Sequence, residues 1–443
     1  MTIYKACDIR GVYGEELDEA TAEAIGGAIA ARLAGRDLVL GADLRPSSSP
    51  LKWALVRGLI AGGAGVVDIG VVPTPVLYDA KDRLATYGAV MVTASHNPPR
   101  YNGFKVMFGD RPVTPDDISW IAEHAGPHRR QGGTYRTAEA LAPYADAMAG
   151  DLALERRPVV VDAGTGAMWW LAPMVLRRVG LDVQPLHCLP DGTFRARHPN
   201  PAVAQHLGDL SAACAQTGAW GAAYDGDGDR VIFVDELGRV LPADRVFALL
   251  LAYALAGRPG AGVVYDLKSS LVVPEAVERA SGIPLEERSG HAFIKARMQD
   301  EGAVLGGEIS GHYFFGDLGR DDALYATLML AQLLEERCVT LAEAMAGVPS
   351  YPITPDLRLP CGSETAQEIV ADLDAAFAGR PRRHLDGVKV LFGEGWALAR
   401  RSVTEPVITL RFEARTEAVL AEIKAEVLAA SSELRRLASE AGW

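Results

Sequence analysis

The sequence predicts an α/β protein of several domains, and three observations carry that expectation. At 443 residues the chain exceeds what one hydrophobic core organises. With 49% hydrophobic and 23% charged residues it has the composition of an ordered globular protein. Short apolar runs alternate with helix-length amphipathic stretches through most of its length, the rhythm of a parallel-rich sheet covered by helices.

In the first block, "DLVLGAD" from Asp37 reads as a strand, "SPLKWALVRGLIAGG" as a helix, and "GVVDIGVVPTP" and "GAVMVT" as further strands. The rhythm recurs in "RPVVVDAGTGAMWWLAPMVLRRVGLDVQPL" (157–186): strand, Gly-rich turn, helix, strand. "GAWGAAYDGDGDRVIFVDELGRVL" then places two strands around an acidic loop. A third block starts near Ala243 with a helix to Ala256, the strand "GVVYDLKSS", a helix, and "GAVLGGEISGHYFFG" as strand and loop. After the Pro-rich "GVPSYPITPDLRLPCG" (347–362) the order changes to a helix, "HLDGVKVLFGEGWALARRS" as one strand, "PVITLRFEA" as another, and a charged helix from Thr416. That order predicts an α+β unit with an antiparallel sheet. The expected domains are 1–140, 141–240, 241–350 and 351–443.

Charge and cysteine usage narrow the function classes. The chain holds 44 Lys and Arg against 57 Asp and Glu, a net −13, which repels nucleic acid and anionic membranes. An anionic ligand must therefore meet a focused cluster of cations. The five cysteines are scattered, with no CxxC pair, and point to reduced thiols in a cytoplasm rather than to a disulfide framework or zinc site. "MTIYKACDIRG" has no signal-peptide pattern. The longest apolar stretch, "VFALLLAYALAG" from Val246, falls short of the ~20 residues that span a bilayer and reads as a buried helix.

The most specific motif is "YDGDGDRVIFVD", where Asp225, Asp227 and Asp229 alternate with glycines after a strand. Three carboxylates so close repel one another unless a cation sits among them, and oxygen-only ligands select Mg²⁺ or another hard ion. An EF-hand loop is the rival reading, but it requires Gly where this chain has Arg230. Magnesium commonly completes its shell with phosphate oxygens, which directs attention to "TASHNPPRYNGFK". Taken alone, Ser95 in this stretch is ordinary turn chemistry. Beside a cation and a base it is a nucleophile able to carry a phosphoryl group. His96 is given no role, because adjacent side chains in an extended segment point apart.

"TASHNPPRYNGFK", "DGDGDR", "GEISGH" and "RRSVTEP" occur in the order and at about the separations seen in the α-D-phosphohexomutase superfamily. The chain most resembles its bacterial phosphomannomutase/phosphoglucomutase branch, from "DIRG" to the C-terminal block. The resemblance implies four domains around a central cleft: three mixed-sheet α/β units and an α+β unit related to the TATA-binding protein fold. It implies reversible phosphoryl transfer between hexose 1-phosphate and hexose 6-phosphate through phospho-Ser95, with Mg²⁺ held by Asp225, Asp227, Asp229 and an oxygen borne on Ser95. Hexose 1,6-bisphosphate is then the intermediate and activator. A phosphosugar is the expected partner, with no nucleic acid or membrane, and the chain is expected to be a monomer or weak homo-oligomer.

Arg10, Lys105 and Arg230 lie in or beside the motifs and are the candidates for stabilising the migrating phosphoryl group. Lys105 is also a candidate acid/base, which requires its pKa to be lowered. In "GEISGH" an extended segment puts Glu308, Ser310 and His312 on one face. By resemblance Glu308 and Ser310 contact sugar hydroxyls common to glucose and mannose, His312 transfers protons, and Lys268 and His291 contact substrate. Arg400, Ser402 and Thr404 in "RRSVTEP" would grip the non-reacting phosphate. Two positions depart from the family pattern, Val403 in that clasp and Cys7 where Tyr is usual. A phosphoglucosamine mutase is the nearest alternative, although such relatives usually carry Gln where Ile309 stands; a Mg²⁺-dependent sugar phosphatase is the alternative from another class.

Overall fold

In the computed structural model, which describes residues 3–401 and 406–442, four sheets follow one another along the chain. The first holds β1 (Ile9–Val12), β2 (Asp37–Ala42), β3 (Gly65–Val71), β4 (Gly88–Val92), β5 (Tyr101–Phe108), β6 (Arg111–Pro112) and β7 (Thr134–Thr137), in the order β1-β5-β4-β2-β3-β7 with β6 on β5. Strands β4, β2, β3 and β7 run parallel, while β5 is antiparallel to β4 and β1. The chain leaves the carboxyl end of β4 beside the switch from parallel to antiparallel pairing, where open α/β sheets place ligands. Register sets Lys105 on β5 opposite Met91 on β4, close to that same end.

The second sheet holds β8 (Pro158–Asp162), β9 (Asp182–Leu186), β10 (Trp220–Tyr224) and β11 (Val231–Val234), ordered β11-β10-β8-β9. The loop 225–230 joins the antiparallel pair β10 and β11. The third sheet, β13-β12-β14-β15-β16, is built from β12 (Gly262–Asp266), β13 (Ile283–Glu287), β14 (Leu305–Gly307), β15 (Tyr313–Phe315) and β16 (Arg320–Asp321). The apolar stretch ahead of it is the helix Ala243–Ala254, whose Val246, Phe247 and Leu251 are buried. The fourth sheet is antiparallel, β17-β21-β20-β19-β18, from β17 (Leu357–Pro360), β18 (Arg382–Arg383), β19 (Val388–Leu391), β20 (Gly395–Arg401) and β21 (Val407–Ala414). One expectation changes here: "HLDGVKVLFGEGWALARRS" is not a single strand. It turns at 392–394, where Gly393 has φ 63°, to make the β19–β20 hairpin.

Burial shows how these units join. One continuous apolar core runs from Val76 and Met91 of the first sheet through Val161 and Phe233 of the second to Phe247 and Leu330 around the third. The fourth sheet has its own core, including Ile369, Leu410 and Phe412. A small cluster of Leu267, Trp396 and Leu398 connects it to the third. Trp396 is fully buried there and its Nε1 donates to Glu413 Oε2 at 2.6 Å; Glu413 also accepts from Ser270 Oγ and, at 2.8 Å, from the Leu271 amide. Trp396→Ala should cost about 3–5 kcal/mol by opening a cavity at this joint. Scanning calorimetry should show a fourth-domain transition split off and moved to lower temperature, and one unshifted transition would rule out this joint as the main link.

Candidate active site

Ser95 sits where β4 ends, and its backbone is left-handed at φ 49°. That conformation is unfavourable for a non-glycine residue, so surrounding contacts must hold it. The buried guanidinium of Arg45 does so: Nη2 donates to the carbonyls of Ser95 and Asn97, both at 2.7 Å, and Nη1 to Pro98 at 2.8 Å and Tyr101 at 3.1 Å. Asp43 fixes Arg45 in turn through Nε at 3.0 Å and accepts from Thr93 Oγ1 at 2.8 Å, while Thr93 Oγ1 accepts from the Ser95 amide at 2.9 Å. One arginine thus donates hydrogen bonds to four carbonyls between Ser95 and Tyr101.

Held this way, Ser95 Oγ donates to Asp225 Oδ2 at 2.7 Å, although the two residues are 130 apart in sequence. Asp225, Asp227 and Asp229 are fully buried, and a carboxylate oxygen from each lies within 4.8 Å of the others. The glycines let the loop come this close: a Cβ on Gly226 would run into the Ser95 carbonyl, and Gly228 has φ 76°. Thr74 Oγ1 donates to Asp227 Oδ2 at 2.7 Å, and the Lys105 ammonium bridges Asp227 and Asp229. Asp227 Oδ1 and Asp229 Oδ1 are buried without a hydrogen-bond partner among the described residues. Burial and the two neighbouring carboxylates push the Asp225 pKa up to about 8. Orphaned oxygens, an all-oxygen donor set and a carboxylate raised by its neighbours together fit a divalent hard cation.

Cations surround this cluster. Arg230 Nε lies 3.9 Å from Asp225 and donates to His312 Nε2 at 2.9 Å. His312 Nδ1 is 2.8 Å from Asp321, so the proton of this imidazole belongs on Nδ1 and its lone pair on Nε2. Arg10 Nη1 donates to Asn97 at 2.6 Å, while its Nη2 pairs with Asp8. His96 Nδ1 is 3.2 Å from Ser95 Oγ, and burial together with Arg230, Arg10 and Lys105 holds its pKa well below the usual value.

The second and third sheets meet at a cavity of about 470 Å³ lined by Arg230, Lys268, Glu308, Ser310, Asp266 and Arg411, among others. Glu308 is braced by Ser310 Oγ at 2.8 Å and by the Gly290 amide at 2.9 Å. Lys268 Nζ pairs with Asp356 at 2.8 Å, and Arg411 meets the same carboxylate at 3.2 Å. His291 stacks on His312 with ring centroids 5.8 Å apart, its Nε2 buried and unpartnered among the described residues. Burial and the Lys105 charge lower the His291 pKa to about 4. Cys7 Sγ lies beside Gly290; burial, Asp8 and Glu308 push its pKa up to about 12.

The geometry therefore gathers Ser95, Arg10, Lys105, the three aspartates, Arg230, His291, Glu308, Ser310, His312 and Lys268 from three sheets. Arg400 stands on the fourth, 2.8 Å from Asp386. Ser402, Val403 and Thr404 lie outside the described residues. Three sequence expectations are corrected. Lys105 does not have the lowered pKa expected of a general acid/base: despite burial, Asp227 and Asp229 raise it well above the usual value. Glu308, Ser310 and His312 do not share the face of an extended segment; a tight turn, with Gly311 N on Glu308 O at 3.0 Å, brings them together. His96 does not point away from Ser95, because left-handed Ser95 reverses the alternation assumed for an extended chain. Asp43, Arg45, Thr74, Thr93, Asp266, Asp321 and Arg411 were missed, and only the "GADLRPSS" turn signal hinted at the first two.

Fold and site together define a multidomain α/β protein with a serine held against a carboxylate cluster. The chain matches the models for phosphoglucomutase/phosphomannomutase α/β/α domain I over residues 1–129, domain II over 142–238, domain III over 242–351 and the C-terminal domain over 358–430. It belongs to the phosphoglucomutase/phosphomannomutase family. It is 36% identical to a phosphomannomutase/phosphoglucomutase of Pseudomonas putida over 96% of this chain and 94% of the relative. It is also 36% identical to a phosphoglucomutase of Neisseria meningitidis over 95% of each. The solved structure of a phosphoglucomutase/phosphomannomutase family protein from Burkholderia thailandensis superposes with a TM-score of 0.91 at 35% identity, covering 98% of both chains.

Gly226→Ala tests the contact between the two loops. It should cost about 1–3 kcal/mol through overpacking, and it should abolish the rise in melting temperature that an added divalent cation gives the wild type. A wild-type midpoint with the full cation-dependent rise would show that the loops do not touch.

Proposed function

We propose that this chain is a phosphohexomutase that interconverts hexose 1-phosphate and hexose 6-phosphate of glucose, mannose or both, through phospho-Ser95 and a hexose 1,6-bisphosphate. The observation that carries this reading is the Ser95 hydroxyl, 2.7 Å from a buried carboxylate in a three-aspartate cluster ringed by cations. Phosphoryl transfer needs positioning and charge neutralisation above all. Mg²⁺, held by Asp225, Asp227, Asp229 and a phosphate oxygen on Ser95, would neutralise charge on the transferring group.

The chain's own groups do the rest. Arg45 keeps the Ser95 loop open toward the cluster, and Arg10, Lys105 and Arg230 face the migrating phosphoryl oxygens. Lys105 remains an ammonium between Asp227 and Asp229. The proton leaving the attacking sugar hydroxyl has an acceptor in His312 Nε2, which is exposed when Arg230 turns to the phosphate; Asp321 holds the imidazole in that tautomer. Glu308 and Ser310 hold ring hydroxyls that do not distinguish the C2 epimers, with Lys268 at the cavity wall and His291 stacked on His312. Arg400, Ser402 and Thr404 grip the phosphate that does not react. Catalytic amounts of hexose 1,6-bisphosphate restore phosphate to a dephosphorylated Ser95. We infer a cytoplasmic monomer or weak homo-oligomer that uses neither nucleic acid nor membrane; no helix among the described residues is long and apolar enough to cross a bilayer.

The direct test supplies glucose 1-phosphate, Mg²⁺ and a trace of glucose 1,6-bisphosphate and measures glucose 6-phosphate. Free phosphate as the main product would sink the mutase reading and favour a phosphatase. Running the 1-phosphates of glucose, mannose and glucosamine side by side ranks the sugars.

Ser95→Ala should lower turnover at least about a thousandfold and remove one phosphoryl group from the intact mass. Asp227→Asn should depress turnover by about a hundredfold or more and weaken the metal site, with chelation of the wild type reproducing the loss and Mg²⁺ reversing it. Near-normal activity in either variant would overturn its assigned role.

A further inference from the structure

A second cavity, of about 280 Å³, lies in the third domain and shares none of the catalytic residues. Its apolar wall includes Met298, Val304, Phe314 and Phe315; Lys295 and Arg320 bring two cations to it, and the one carboxylate of the lining, Asp317, pairs outward with Arg258 at 3.3 Å. Arg320 is already neutralised, with Asp322 at 3.4 Å and Asp79 at 3.5 Å. Lys295 is not. It is buried, its Nζ lies 4.5 Å from the Tyr78 ring centroid and 3.9 Å from Met107 Sδ, and no carboxylate pairs with it among the described residues. A second polar group of the same wall is equally unsatisfied: Gln299 Oε1 is buried without a hydrogen-bond partner among the described residues.

A buried charge in no direct ion pair and a buried acceptor without a donor each cost free energy that a complementary ligand would recover. The apolar wall asks for an apolar body and the ammonium asks for an anion. Burial lowers the Lys295 pKa to about 8, with the Asp321 and Asp82 charges only partly offsetting the desolvation. We propose that this cavity is a binding site for a small monoanion with an apolar body, such as an aromatic or branched aliphatic carboxylate, paired to Lys295 and seated on Met298 and Val304.

The site is separate from the sugar cavity but built on the same elements. Lys295 and Gln299 lie on the helix His291–Glu301 that begins with His291. Phe314 and Phe315 follow His312 on β15, and Arg320 precedes Asp321 on β16. An occupant therefore packs against the segments that carry three residues of the phosphosugar site.

Benzoate is the probe, titrated calorimetrically into the full-length protein with glucose 6-phosphate at saturation. Saturable millimolar binding is expected, at least about tenfold weaker for neutral benzamide and at least about tenfold weaker in Lys295→Met, since each lacks the charge pair. Lys295→Met should keep hexose phosphate turnover and its melting transition. Should it fail to fold, Val304→Phe, which fills the cavity, should also lose benzoate. Absence of saturable binding, equal binding to the wild type and a folded variant, or displacement of benzoate by glucose 6-phosphate would overturn the proposal.

Discussion

The contact between Ser95 and Asp225 is the constraint on which the rest of the site depends. It spans two sheets, and each loop is shaped to make it. Ser95 accepts a left-handed backbone, and Gly226 gives up a side chain so that the Ser95 carbonyl can pass. The Arg45 guanidinium holds the strained loop by taking four of its contacts at once. Strain stored at one residue is thereby offset by a hydrogen-bonded cage made from residues 43–48 and 93–102.

Charge is the second organising term. Three buried aspartates would repel one another in isolation, and the protein meets them with Lys105 directly and Arg230 more loosely. The Lys105 ammonium is consequently stabilised rather than activated, which separates the two roles that a lysine in this motif could have taken. An imidazole stands beside it, with Asp321 and Arg230 on opposite nitrogens of His312.

The way the domains join matches this division of labour. A shared apolar core fuses the three units that carry the serine, the carboxylates and the sugar loop, so their mutual geometry resists deformation. The fourth unit has a separate core and meets the third through a small cluster around Trp396 and the polar anchor at Glu413. A joint of that size permits relative motion where a shared core does not. Lys268, paired to Asp356 across this joint, couples the cavity between the second and third sheets to the placement of the last domain.

Local patterning was enough to read the alternating α/β rhythm, the antiparallel last unit and the loop of three aspartates, whereas Ser95 stood out only beside that distant loop. Periodicity and side-chain chemistry act over a few residues, and the first three features are local. The β19–β20 hairpin was missed because apolar residues continue through its turn and only Gly393 marks the reversal. The sequence named Lys105 as a phosphoryl stabiliser or acid/base and, by resemblance, His312 as a proton-transfer group, without the charges that surround them. Folding brought those within reach: Asp227 and Asp229 for the lysine, Arg230 and Asp321 for the histidine. The contacts of Arg45, Thr74 and Lys295 could be seen only in the folded chain, since a partner 50, 153 or 188 residues away leaves no local signature. By itself the sequence determined which chemistry the protein could perform. Tertiary packing decided which atoms hold the proton, the charge and the strain, because those are set by distances and burial between segments that the chain keeps far apart.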